Sequence, residues 1–330
     1  MTVAFREGID TQPENLAAGA EAVREALAGV DLAPLREGTI VFSGIGASWY
    51  ALLPAVRELR RAGRRAFAVP APELAIARGL GDAYVLVSQS GASTEMLAAA
   101  HALDGEAVYA VSMHADGPLS RAARHWLPIG LFEDTAVSTR AYTATLQALG
   151  LLSATVTGGG LAAWEAIPEL ARETLDRSDP GAQAFAERLA GVGAVDCVGG
   201  GAALASAGEA ALLAREALRL PAAAAETRQY LHGPLEAVAE GFGSILFGAG
   251  RELELAHTLV SLGATVCAVG AMPISAVEGI HTFEIFDVAE PAAPVLQILP
   301  IQLAVAHAAH LRGLSVEGLR RPQQDTKAAS

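Results

Sequence analysis

Residues 85–100 read VLVSQSGASTEMLAAA. A buried-type apolar run ends at Val87. Ser88, Gln89, Ser90, Gly91, Ala92, Ser93 and Thr94 follow, and then a pattern of helical type begins. Strand, polar turn and helix form the repeating unit of parallel sheets, and the turn lies at the strand's carboxyl end, where open α/β sheets bind ligands. The first turn of such a helix offers unpaired N–H groups and the positive end of the peptide dipoles to an anion. Gly91 lets the backbone approach closely, and three serines and a glutamine add neutral donors. No Gly-Lys-Ser/Thr follows, so the turn is not a P-loop. A serine cap accounts for Ser93 or Thr94 taken alone. The succession Ser88, Gln89, Ser90 and Ser93 points further, to a phosphomonoester.

The same alternation runs outward in both directions. Apolar runs at 39–43, 65–69, 83–87, 107–111 and 125–129 read as strands, with helices at 48–62, 94–103, 117–124 and 138–156. This predicts a mostly parallel sheet covered on both faces. A second cycle has strands at 194–198, 243–247, 264–269 and 282–286 and helices at 203–220, 251–262 and 295–312. Between them, 161–192 reads as a helical connector that stops and restarts at RSDPGAQAF. The first cycle opens VFSGIGA and the second DCVGGGA, with Gly44 and Gly199 near half a chain apart. An internal duplication is the expectation. The second copy's counterpart of the serine turn, SILFGAGREL, has no serine cluster, so one phosphate site is expected, in the first half. Within GIGASWYALL, Ser48 offers that phosphate another hydroxyl. The third glycine of a dinucleotide fingerprint is absent there and Glu73 is only loosely placed as a ribose acid, so no nucleotide cofactor is expected.

The 330 residues carry a net charge of −13 and no basic stripe, which excludes nucleic acid and anionic membrane as partners. The N-terminal residues have no apolar signal core, and the apolar stretch 141–156, broken by Thr, Gln and Gly, reads as a core helix; a cytoplasmic protein is expected. Cys197 and Cys267 sit in strand-like runs and read as inert buried thiols. His307 and His310 lie i,i+3 on an apolar helix with no third ligand in view, so no metal is expected. One lysine, Lys327, stands among 22 arginines.

In order along the chain, GIGASWYA, SQSGAS, EDTAVSTRAYT, EAALLAREALRL, YLHGPLEAV and PQQDTKA resemble the motifs of the sugar isomerase (SIS) family, in particular its two-domain members such as the isomerase half of glucosamine-6-phosphate synthase. The resemblance covers nearly the whole chain. It implies two tandem SIS domains, 38–160 and 193–313, each a flavodoxin- or Rossmann-like three-layer sandwich. They are joined by a helical connector, 161–192, preceded by a helical segment, 1–37, and followed by a tail, 314–330, lying over the active site. It implies that Ser48, Ser88, Gln89, Ser90 and Ser93 hold a sugar phosphate, and that Ser138 and the backbone near Ala136 face the sugar. Glu216 would move a proton between C1 and C2. His232 would open the ring, reaching across from the neighbouring subunit of a homodimer, and Lys327 would close over the substrate.

The chemistry fits these assignments. One carboxylate on one face of an enediol can serve both carbons, and apolar helix neighbours Leu212 and Leu220 would raise the pKa of Glu216 toward neutrality. Spacing alone also allows a surface pair of Glu216 with Arg219 at i+3. An imidazole suits ring opening, and an ammonium on a closing tail suits a developing enediolate; a solvated terminal charge is the alternative for Lys327. The chain departs from the family at Leu213 and Arg215, which stand where the family has lysines, and at Gly200, Ala47, Ala92 and Tyr50. Loss of the first lysine argues against ammonia incorporation, as does the lack of a glutamine-hydrolysing segment with its N-terminal cysteine. The expected function is an aldose–ketose isomerase or aminosugar-6-phosphate deaminase. The alternatives are a fructosamine-6-phosphate deglycase and a non-catalytic sugar-phosphate sensor.

Overall fold

A computed structural model of the chain describes residues 3–77, 79–130, 133–271, 278–322 and 325–327. Among these residues the strands are β1 Ile40–Ser43, β2 Ala66–Ala68, β3 Ala83–Val87, β4 Ala107–Ser112, β5 His125–Pro128, β6 Ala194–Gly199, β7 Ala222–Ala225, β8 Phe242–Phe247, β9 Thr265–Gly270 and β10 Ile280–Glu284. The helices are α1 Phe5–Asp10, α2 Gln12–Gly29, α3 Ala33–Glu37, α4 Ala47–Arg61, α5 Ala71–Leu74, α6 Thr94–Ala102, α7 Pro118–Ala122, α8 Arg140–Thr157, α9 Ala162–Glu165, α10 Ile167–Leu189, α11 Leu204–Glu216, α12 Thr227–Tyr230, α13 Arg251–Ser261 and α14 Ala293–Leu311.

Both sheets are parallel throughout. The first runs β2-β1-β3-β4-β5 and the second β7-β6-β8-β9-β10, the same connectivity met twice. The chain forms two compact units. The first-sheet unit takes Glu14–Glu133, Arg140–Ala166 and the chain from Arg321. The second-sheet unit takes the chain up to Pro13, Asp134–Thr139 and Ile167–Arg320.

In the first unit, Val41, Tyr84, Leu86, Val108 and Ala110 pack against Ala71 and Leu74 of α5, against Met96, Ala99 and Ala100 of α6, and against Leu119 of α7. Helix α4 lies along β1, β2 and β3 and pairs with α8. Every residue of β1 and β3 is therefore buried, which explains their unbroken apolar runs. Helix α8, expected as a core helix, is buried along most of its length. In the second unit, Val198, Leu246, Val266 and Ala268 pack against Tyr230 of α12 and Leu255, Ala256 and Leu259 of α13. Helix α11 lies along β6, β7 and β8, and α14 packs on α10 and α11. Among the described residues, α14 is long and apolar enough to cross a membrane, yet it is largely buried within the protein.

Gly44 and Gly199 have the same task. A Cβ on Gly44 would stand 2.9 Å from the Ser48 carbonyl carbon, and one on Gly199 would stand 2.5 Å from the Ala203 oxygen. In each half a strand end lies against backbone four residues on, and only glycine permits the approach. Gly199→Ala is expected to cost about 1–3 kcal/mol through overpacking, read as a lower urea midpoint at an unchanged slope.

Four features differ from the sequence expectation. Strand β7 is four alanines, Ala222–Ala225; alanine favours helix, and only pairing with β6 makes these residues a strand. The last strand lies at Ile280–Glu284, not 282–286. Helix α10 runs unbroken through Pro180. One main-chain hydrogen bond is lost there, and packing on α14 outweighs it. The helix expected over 203–220 ends at Glu216, with Arg219 in the left-handed region at φ 58°. Leu220 therefore lies beyond the helix and is not a same-face neighbour of Glu216.

Candidate functional site

The serine turn is a compact scaffold. Gly91 adopts φ 64°, and its N–H donates to the Ser88 carbonyl at 3.0 Å. The turn is fixed to its neighbours by three backbone bonds: Ser88 N–H to Val111, Met113 N–H to the Gln89 carbonyl and Leu119 N–H to the Gly91 carbonyl. The Ala92 N–H donates to Ser90 Oγ at 3.3 Å. Ser88 is buried, while Gln89, Ser90 and Ser93 are half-buried at the mouth of the turn. Ser48 stands half-buried in the first turn of α4, after β1, the strand beside β3. The turns that carry Ser48 and the serine cluster thus follow the carboxyl ends of adjacent strands.

The tail reaches this turn. Ser93 and Lys327 form an isolated antiparallel bridge. The Thr94 N–H donates to the Thr326 carbonyl at 3.2 Å, and Thr94 Oγ1 donates to the Asp325 carbonyl at 2.9 Å. One of the orphan N–H groups of α6 is therefore capped by the tail. Lys327 is exposed.

Glu95 is a participant that motif reading passed over. Its carboxylate accepts from Ser93 Oγ at 3.0 Å and, at 3.2 Å, shares the Thr94 hydroxyl proton with the Asp325 carbonyl. Its own backbone N–H and these two hydroxyls hold the Glu95 carboxyl below its ordinary range. A side-chain anion thus engages the hydroxyl of Ser93, one of the residues expected to hold a phosphate. Glu95→Gln is expected to tighten inorganic phosphate binding about three- to tenfold, because a like charge near a dianion is removed. Isothermal calorimetry at fixed low salt measures it, and unchanged affinity would place Glu95 outside the anion's field.

In the second-sheet unit, Glu216 is the last residue of α11. It is half-buried, and burial raises its pKa above the ordinary carboxyl value. The negative end of the helix dipole acts in the same direction. Glu216 has no ion-pair partner among the described residues; the Arg219 guanidinium instead donates to the Ser315 carbonyl at 3.2 Å. The surface pair that spacing allowed is not formed.

Two turns earlier on α11 is Glu209, which sequence reasoning left without a role. It is 1% exposed, and its Oε2 has no hydrogen-bond partner. Burial first, then the charges of Glu216 and Asp134, push its pKa well up. Asp134 is itself fixed: its carboxylate accepts from the Thr139 N–H at 3.1 Å, Thr139 Oγ1 at 2.8 Å and Ser138 Oγ at 3.3 Å. Ser138 and Ala136 thus fall in the unit that holds Glu209 and Glu216, although the sequence places them with the first sheet. The spacing of Glu209 and Glu216, two helical turns apart, was the available signal.

His232 is exposed on the turn after α12. Its N–H donates to the Gln229 carbonyl at 3.1 Å. Gly233, at φ 142°, and Pro234 turn the chain away behind it. Cys197 and Cys267 are fully buried, and burial pushes both thiols up, as expected of inert side chains. His307 is half-buried, with its Nε2 2.9 Å from Asp179 Oδ1, while His310 is exposed.

No family model matches the chain. It is 29% identical over 324 residues to the isomerizing glutamine–fructose-6-phosphate aminotransferase of Pyrobaculum aerophilum, a match covering 92% of the chain and 54% of that protein. The chain spans about half the length of the curated relatives it matches. Among solved structures it superposes on the C-terminal domain of the glucosamine-fructose-6-phosphate aminotransferase of Francisella tularensis with a TM-score of 0.81 and 17% identity, over 95% of this chain and 97% of that one. The glucosamine-6-phosphate deaminase of Thermotoga maritima gives 0.81 and 21%, over 97% and 98%. The tagatose-6-phosphate ketose/aldose isomerase of Escherichia coli gives 0.79 and 18%, over 97% of each chain. The chain shares its fold with these structures. The two parallel five-stranded sheets with their flanking helices are the arrangement this chain has in common with them.

Proposed function

We propose that the chain is an enzyme acting on a hexose or hexosamine 6-phosphate, as an aldose–ketose isomerase or an aminosugar-phosphate deaminase. The observation that carries this reading is the pairing of Ser93 with Lys327, which sets the chain's one lysine beside its neutral anion turn. The two sheets are read as two SIS domains, 38–160 and 193–313.

In this reading the phosphate is held by Ser48, Ser88, Gln89, Ser90 and Ser93, and Ser138 and the Ala136 backbone face the sugar. Glu216 takes the proton from one of the substrate's C1 and C2 carbons and returns it to the other. A carboxyl whose pKa is raised by burial suits both steps. Lys327 neutralises the oxyanion of the enediolate. His232 opens the sugar ring bound by a neighbouring copy in a homodimer; its exposure on a hydrogen-bonded turn supports that assignment. Leu213 is buried in α11 at a position where the resemblance implies a lysine, and this weighs against ammonia incorporation.

The test is a panel of glucose, fructose, tagatose, glucosamine and fructosamine 6-phosphates, each assayed for isomer by chromatography and for free amine. Conversion of at least one sugar is expected, with amine release sorting deaminase from isomerase. Binding without turnover across the panel would replace the enzyme by a sensor.

A further inference from the structure

The residues around His232 are held from behind by contacts that motif comparison does not explain. Helix α12 is four residues long and has no inherent stability at that length. Three links hold it. The Glu226 carboxylate caps it, accepting from the Arg228 N–H at 2.8 Å and the Gln229 N–H at 3.0 Å. Thr227 Oγ1 donates to Glu252 Oε1 on α13. Tyr230 Oη donates to Asp196 Oδ2 on β6 at 2.9 Å. The third link is the most deeply set, with Tyr230 at 0% and Asp196 at 9% exposure.

A carboxylate in a buried strand is costly unless it is paired. Burial indeed raises the Asp196 pKa, and the Tyr230 hydroxyl opposes that shift. An apolar residue at 196 would fit the strand run AVDCVG more simply. Phenylalanine at 230 would fill the same core, which also holds Val198, Leu246 and Leu255. The bond thus adds no core volume; what it adds is a fixed link between the short helix and β6. Tyr230 lies two residues before His232, and the His232 N–H itself closes onto Gln229 of the same helix.

We propose that Asp196 and Tyr230 are a positioning pair for His232. They tie the short helix to β6, an inner strand of its sheet, so that an exposed imidazole is presented from one fixed place. The proposal rests on the reading that His232 opens the sugar ring.

The experiment uses the full chain and four variants: Tyr230→Phe, Asp196→Ala, Asp196→Asn and His232→Gln. The first readout is hydrogen exchange of the unliganded protein, followed by mass spectrometry. Tyr230→Phe and Asp196→Ala are expected to speed exchange of the peptide covering 226–233 at least tenfold, with residues 83–100 unchanged. Asp196→Asn keeps an acceptor for the tyrosine and is expected to stay near wild type. The second readout is turnover of the best panel sugar. Tyr230→Phe is expected to lower kcat on the order of tenfold or more at unchanged KM, since misplacing a reacting group penalises the chemical step.

Unchanged exchange at 226–233 in Tyr230→Phe, or faster exchange with unchanged kcat while His232→Gln is impaired, would overturn the pairing. If His232→Gln is as active as wild type, the ring-opening role falls instead, and the exchange data alone still decide whether the pair holds the helix. If both pair variants lose exchange protection throughout the second-sheet unit, the role is general stability and the positioning claim fails.

Discussion

Glu216→Gln is expected to lower phosphosugar turnover about a thousandfold, the scale of a lost general acid–base group, while inorganic phosphate still binds. The substitution isolates the proton-transfer role for a structural reason. Glu216 has no ion-pair partner among the described residues, so glutamine leaves no opposite charge unpaired, and it keeps the side chain's size. Melting temperature should therefore hardly move. The wild-type pH profile gives an independent check. Glu216 must be ionised to act as base, so kcat/KM falls as the pH drops through its pKa. Burial raises that pKa, so the acid limb lies above the ordinary carboxyl range. A Glu216→Gln enzyme of near-normal rate would remove Glu216 from the chemistry.

The second large effect is expected at the tail. Lys327→Ala should reduce kcat on the order of a hundredfold, as loss of one group stabilising an oxyanion does. Because Lys327 joins Ser93 through a backbone bridge, alanine leaves that bridge formed and removes the ammonium alone. Lys327→Arg is the sharper variant. Arginine serves at all 22 other cationic positions of this chain, yet its planar fork does not reproduce a compact ammonium, and rescue below a tenth of wild-type kcat is expected. Stopped assays at saturating sugar measure both. If Lys327→Ala weakens phosphate binding and leaves kcat intact, the ammonium is a phosphate ligand.

Much of this arrangement is legible in the sequence, and the reasons lie in particular residues. The runs AYVLV and AVDCVG declare buried strands because both of their faces are covered. The turn from Ser88 to Thr94 declares itself because polar side chains at a strand end have little else to do. Ala222–Ala225 gave no such signal, since nothing in four alanines distinguishes an edge strand from a helix until β6 pairs with it. Pro180 misled because a local break signal was outweighed by packing on α14. Glu209 and Glu95 went unnoticed for a related reason. Their significance lies in which atoms surround them, an orphan oxygen in one case and neighbouring hydroxyls in the other; the two-turn spacing from Glu216 pointed to Glu209 without revealing that setting, and nothing in the spacing pointed to Glu95. The Ser138 segment shows the limit most plainly, because membership of a compact unit is a property of contacts and not of position along the chain.

The placement of α1 has a consequence for biosynthesis. Phe5 and Ile9 are buried in the unit whose last helix is α14, and the Phe5 N–H donates to a Glu317 side chain 312 residues later. At roughly 5–20 residues per second, a ribosome takes about a quarter of a minute to a minute to deliver that partner. Throughout that interval the Phe5 N–H is without its native acceptor. Helix α1 is thus made long before the bond that ties it to Glu317 can form.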